Sequence, residues 1–215
     1  MQTINNEVFY HIQNIGTDND SNPWEKGKTY TIGGEITNNY YNGFSKSYPY
    51  KKLNEQEVRM NSYVQMVISH LISQGERDCN GWLSQITSDF SNTLGHYQKL
   101  TREIIYEQVR SQSFSDLPSR KTCLWVLPYD TSSDIITKWK EQLYHDKQVR
   151  LLTLQLTGKI HITSEIFLIN DCASIEEVQN EAADYWKATD INSYDPETIE
   201  VLFEGQATVL DISSL

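Results

Sequence analysis

The sequence predicts an α+β fold, and three observations carry that prediction. Alternating strand-like runs open and close the chain, a long stretch from about residue 54 to 117 has helical spacing instead, and after Pro118 strands and helices interleave. At 215 residues the chain is long enough to bury a sizeable core. A single domain over 1–215, with a helical insertion at about 54–117, is expected.

Taken in order, residues 7–13 are rich in strand formers, with Val8, Tyr10 and Ile12 on one face and Phe9, His11 and Gln13 on the other. Residues 16–23 are rich in Asp, Asn and Ser and read as a loop. Trp24 to Gly34 reads as a turn, a short strand and a glycine stop. Residues 37–53, with their tyrosines and Asn42-Gly43, read as irregular. Asn54 followed by Glu57 has the form of a helix N-cap, after which Val58, Tyr63, Val67, Leu71 and Ile72 recur at helical spacing up to Gly75. A second helix is expected from about Asn80 to Ser113, broken near Gly95, with Leu100, Ile104, Ile105 and Val109 as its later apolar face.

Beyond Pro118, Lys121 to Leu127 reads as a buried strand, and Thr131-Ser132-Ser133-Asp134 caps a helix striped by Ile135, Ile136, Trp139 and Leu143. Residues 148–157 alternate, with Leu152, Leu154 and Leu156 inward, and Gly158 allows a bend before Ile160-His161-Ile162. His161 is expected to face solvent. Ser174-Ile175-Glu176-Glu177 is a capping box that starts a helix with Ile175, Val178, Ala182, Tyr185 and Trp186 on one face. The last strands, 198–204 and 206–210, are expected to pair through a tight turn at Gly205.

Composition narrows the function. Mean hydropathy is −0.55, aromatic residues make up 11% and the net charge is −11. The charge is uneven: from Glu165 onward twelve acids meet one base, Lys187, so the earlier part is balanced. Non-specific adhesion to nucleic acid or anionic membrane is disfavoured on that acidic quarter. Cys79, Cys123 and Cys172 form no CxxC pair and no metal-spaced cluster, which suits a reducing compartment. No apolar run is long enough for a membrane span and no signal-peptide pattern opens the sequence, so a cytoplasmic location and no membrane partner are expected. No GxSxG, phosphate-loop, GxGxxG or HExxH motif is present, so any active site must be assembled from scattered residues.

One such residue stands out. In Ile199-Glu200-Val201-Leu202-Phe203-Glu204, alternation sets Ile199, Val201 and Phe203 on an apolar face and Glu200 and Glu204 on the other. Burial of the apolar face would hold Glu200 rigidly. His11 on the first strand, Tyr30 in the Trp24/Gly27/Tyr30 segment and Arg120 after Pro118-Ser119 complete a scattered set. Plainer roles stand beside these: a backbone partner for His11, a core position for Tyr30, and pairing with Glu103 or Glu107 for Arg120.

Phe9-Tyr10-His11, Gly27-Lys28-Thr29-Tyr30, Glu107-Gln108-Val109-Arg110, Pro118-Ser119-Arg120, Ala182-Ala183-Asp184-Tyr185-Trp186 and Glu200-Val201-Leu202 together resemble a bacterial family placed with the diphtheria-toxin-like mono-ADP-ribosyltransferase superfamily. The resemblance implies a split, two-sheet core with NAD, as substrate, in the cleft between the sheets. His11 would hold the NAD ribose, Tyr30 would stack on nicotinamide, and Glu200 would support transfer of ADP-ribose to a protein or nucleic acid, or hydrolysis of NAD. The Glu-Val-Leu wording is also similar to the DarT-type branch, in which an arginine assists; Arg120 matches it. The chemistry agrees, because cleaving the nicotinamide bond leaves an oxocarbenium-like centre that a carboxylate can counter. No clear Arg then Ser-Thr-Ser pattern appears, and Glu204 lies four residues after Glu200 rather than two, so arginine-specific transfer is not implied. Two other readings remain: a non-catalytic interaction module that uses the acidic C-terminal surface, and a phosphotransferase acting on RNA ends.

Overall fold

The long alternating segments at either end of the chain do become strands. The computed structural model describes residues 2–15, 24–34, 39–46, 48–53, 55–74, 80–145, 147–168, 174–188 and 193–215. In chain order they form β1 (Gln2–Asn14), β2 (Thr29–Ile32), α1 (Asn39–Lys46), β3 (Tyr50–Leu53), β4 (Gln56–Arg59), α2 (Met60–Gln74), α3 (Asn80–Ser113), β5 (Leu124–Pro128), α4 (Ser133–Tyr144), β6 (Val149–Ser164), α5 (Ile175–Lys187) and β7 (Ile199–Ser214). The fold is therefore mixed α and β, as expected. Two compact units divide it: Met1–Asn38 with Ile105–Leu215, and Asn39–Ile104.

In the first unit, five antiparallel strands form one sheet in the order β2-β7-β5-β1-β6, and β6 also pairs with β7. The pairings thus run in a closed circuit, β1 to β5 to β7 to β6 and back to β1. Closure gives the sheet an inner face. Alternate residues Leu152, Leu154, Leu156 and Ile160 of β6 and Ile199, Val201, Phe203, Ala207 and Val209 of β7 fill it, with Phe9 and Val126. A bulge at Asn6, where φ is 58°, lets Ile4 share this face with Phe9 despite its opposite parity.

The expected turn at Gly205 is a continuous strand instead. β7 runs unbroken through it, and Gly205 sits opposite Gly158 of β6. Both have positive φ, 145° and 157°. A Cβ on Gly158 would lie 2.2 Å from the Glu204 carbonyl oxygen, and one on Gly205 would lie 2.4 Å from that of Thr157. The two strands approach most closely at a point where only glycine fits. The hairpin that the turn signal at Gly205 predicts does not form, because pairing with residues nearly fifty positions upstream outweighs that local signal.

Two helices cover the outer face. Ser132 caps α4, accepting a bond from the Ile135 amide, and Ile136 and Trp139 pack on Ile12, Leu127 and Val149. Ser174 and Glu177 form the expected capping box on α5, whose Ala182, Tyr185 and Trp186 pack with Leu202, Cys123 and Tyr106. The strand expected from Lys121 starts at Leu124, because Ser119–Cys123 is a turn closed by the Cys123 amide donating to the Ser119 carbonyl, 2.8 Å.

The second unit differs from expectation in three places. Residues 39–46 and 50–53 are helix and strand rather than irregular, Val58 lies in the β3–β4 hairpin, and α3 continues through Gly95 for 34 residues. Its core is small: Met60, Val64 and Ile86, with Tyr63, Val67 and Leu71 against them. The loop at 16–23, Asn54, Gly75, Cys79 and Cys172 lie outside the described residues. Among the described residues no helix is long and apolar enough to cross a membrane.

Candidate functional site

Glu200 is on the outer face of β7, beneath α5, and is 7% exposed. Its Oε2 accepts two bonds, from Arg120 Nη1 at 2.9 Å and from the Tyr185 hydroxyl at 2.8 Å. Arg120 also donates from Nη1 to the Tyr185 hydroxyl oxygen, which closes a three-membered network. Arg120 is 2% exposed, with its guanidinium 5.3 Å from the Trp125 ring centre and 5.1 Å from that of Tyr185. Burial pushes the Tyr185 phenol well above its usual range, partly offset by Arg120, so it stays a neutral donor to the carboxylate. Opposite charges and a phenol therefore satisfy one another out of water, an arrangement costly to break from one side.

A second acid places the arginine. Glu204 Oε1 accepts from the Ser119 amide and the Thr122 hydroxyl, both at 2.9 Å, and so pins the turn from which Arg120 projects. Glu200 and Glu204 share a face as the alternation predicts, but one holds the guanidinium and the other holds its loop.

Tyr185 is fixed in turn. Its backbone carbonyl, in the last turn of α5, accepts from two side chains, the Thr163 hydroxyl at 2.9 Å and His161 Nε2 at 3.1 Å. His161, expected to be exposed, is 3% exposed and stacks on Trp186 with ring centres 5.3 Å apart. The correction has a simple cause: α5 covers the face that strand alternation alone assigns to water. Burial, reinforced by the positive charge of Arg120, lowers its pKa to about 4. Trp186 is core, as expected, and donates from Nε1 to the Tyr106 carbonyl at 2.9 Å.

His11 and Tyr30 belong to the other face. His11 pairs with Leu152 and Tyr30 with Ala207, both inner residues. β1 and β5 pair only at Phe9 and Tyr10, and just beyond that His11 Nδ1 donates to the Trp125 carbonyl at 2.9 Å. Nδ1 then carries the proton and Nε2 is the acceptor nitrogen. Burial lowers the His11 pKa to about 4. Trp24 lies between the two candidates, its ring centre 6.0 Å from His11 and 4.6 Å from Tyr30. The Tyr30 hydroxyl accepts from the Glu25 amide at 2.9 Å.

The four candidates thus form two pairs. Arg120 and Glu200 touch directly on the outer face, while His11 and Tyr30 join through Trp24 on the inner one. Trp125 stands between the pairs, with its carbonyl on His11 and its ring against Arg120.

Glu165 was not singled out from sequence. It follows Ser164, which pairs with Ile199, so β6 delivers it beside Glu200. Half-buried there, its carboxyl is held above the usual range by burial and by the charge of Glu200, with Lys138 opposing. The register of β6 against β7 is the missing signal, and it is a long-range property. Among the described residues no cluster of three His, Cys, Asp or Glu is placed to hold a metal ion.

No curated protein matches this chain. A family model described as "Protein of unknown function (DUF2441)" matches residues 9–214, nearly the full length, and the chain therefore belongs to that family.

Proposed function

We propose that this chain is an ADP-ribosyltransferase-like protein that binds NAD and transfers ADP-ribose to a macromolecule, or to water. The reading is carried by Glu200, a carboxylate held in one orientation at a buried position, where a fixed charge acts more strongly than in water. Such a group can hydrogen-bond a ribose hydroxyl and counter the positive charge that develops as nicotinamide leaves. The aromatic row His11, Trp24 and Tyr30 lies on the opposite face of the sheet, so in this conformation one NAD does not meet it and Glu200 together, and the reading rests on Glu200 alone.

The test is release of nicotinamide from NAD by the wild-type chain and by Glu200→Gln. This change keeps the shape and removes the charge. A fall of about a hundredfold or more is expected; equal rates, or no release by the wild type, reject the assignment. Thermal unfolding of both proteins separates lost chemistry from lost fold.

A second reading is favoured by one specific observation: Oε2 of Glu200 is already occupied by Arg120 and Tyr185. In that reading the network is a brace under α5, and the chain is a non-catalytic interaction module with an acidic C-terminal surface. It predicts no thermal shift on adding NAD. It also predicts that Arg120→Met costs about 3–5 kcal/mol while adding Glu200→Leu restores most of the loss, since a lone buried charge is worse than none. An RNA-end phosphotransferase would need the Arg120 guanidinium on a phosphate, whereas here it is committed to Glu200.

A further inference from the structure

α3 packs Ile86 against Met60 and Val64 of α2. Flanking that contact, Leu83, Phe90, Tyr97 and Ile104 recur every seven residues, with Leu94 four after Phe90, and each of the five is between 48% and 55% exposed. A strict seven-residue repeat is the spacing with which one helix runs along another. At 1.5 Å per residue the row is about 30 Å long.

We propose that this row is the interface through which two copies of the chain associate. The repeat complements itself: turned end for end, a second α3 sets Leu83 against Ile104, Phe90 against Tyr97 and Leu94 against its own copy. Between and beside these residues stand Thr87, Ser91 and Thr101, all uncharged and exposed. At 100° per residue Asp89, Lys99, Arg102 and Glu103 project from other sides of the helix. The surplus negative charge lies from Glu165 onward, so two copies meet along α3, in the balanced part of the chain, without like charges in register. A foreign partner recognised by its charge would find nothing to pair with. Half-exposed side chains of this size present on the order of 500 Å² per helix, so two copies would bury about 1,000 Å², the lower bound for a specific interface.

The test is the mass of the full chain in solution by sedimentation equilibrium between about 1 and 100 μM. A concentration-dependent dimer is expected, with association weakened at least about tenfold in Leu94→Glu. Circular dichroism should show unchanged helix content. As a second probe, Leu94→Cys should form a disulfide-linked dimer on mild oxidation at concentrations where the parent chain does not. A monomer throughout that range, equal association of Leu94→Glu, or no added crosslink from Leu94→Cys would each overturn the proposal.

Discussion

The two compact units spend their apolar residues differently. In the first, a closed circuit of strands encloses Leu152, Leu154, Leu156, Phe203 and Ala207 with no exposure at all, and two capped helices seal the outside. In the second, Met60, Val64 and Ile86 form the buried cluster among the described residues, while Met66, Ile68 and Ile72 on α2 and the row on α3 face outward. Stability scales with apolar area removed from water, so the first unit is the rigid part and the second the marginal one. The candidate chemistry lies in the rigid unit, and the outward apolar surface lies in the other.

The sharpest way to break this comparison is to make one substitution in both units. Gly158→Ala puts a methyl group 2.2 Å from a backbone oxygen and 2.8 Å from the Gly205 Cα, so the two strands must move apart. A loss of about 4 kcal/mol or more is expected, read as a collapsed urea midpoint or insoluble expression. Gly95→Ala meets nothing within 4 Å in the middle of α3 and should stabilise by up to about 1 kcal/mol through helix propensity. If Gly158→Ala were neutral, the closed circuit would be wrong.

Sequence patterns revealed what is local. The inward leucines of β6, the capping box at Ser174 and the N-cap before Ile135 all follow from residues within a few positions of one another. Gly205 was misread because a glycine in a strand looks the same whether it turns a hairpin or relieves a clash with a distant partner. His161 was misread because α5 arrives from elsewhere in the chain. Arg120 and Glu200 were each singled out, but their pairing spans 80 positions. The Glu204 anchor and the approach of Glu165 to Glu200 likewise depend on register, which alternation does not encode.

Acid should act mainly on the rigid unit. His161 and His11 have folded pKa values lowered to about 4, against 6.5 for an ordinary histidine. Between those values the unfolded chain takes up protons that the folded chain refuses, so stability is complete above pH 6.5 and drains as pH falls toward 4. At about 1.4 kcal/mol per pH unit, His161 alone accounts for roughly 3 kcal/mol at the acid end. Urea midpoints for the wild type and His161→Gln at pH 7.5 and pH 5 measure this. The variant, whose amide can still donate to the Tyr185 carbonyl, should show the shallower fall. Parallel slopes would mean that α5 does not seal the histidine.

The smallest expected effect is on α2. Ile72 is 75% exposed, whereas its neighbour Leu71 points a hundred degrees away into the contact with Met60 and Val64. Isoleucine and serine differ little in helix propensity, so Ile72→Ser should move the urea midpoint by no more than about 0.5 kcal/mol. It should also raise solubility. The contrast with Leu154→Ala in the first unit, expected to cost about 2–5 kcal/mol, measures the difference between the units on one scale. A loss above about 1 kcal/mol at Ile72 would mean that its side of α2 is covered in solution. The marginal unit would then owe its stability to a surface other than its own core.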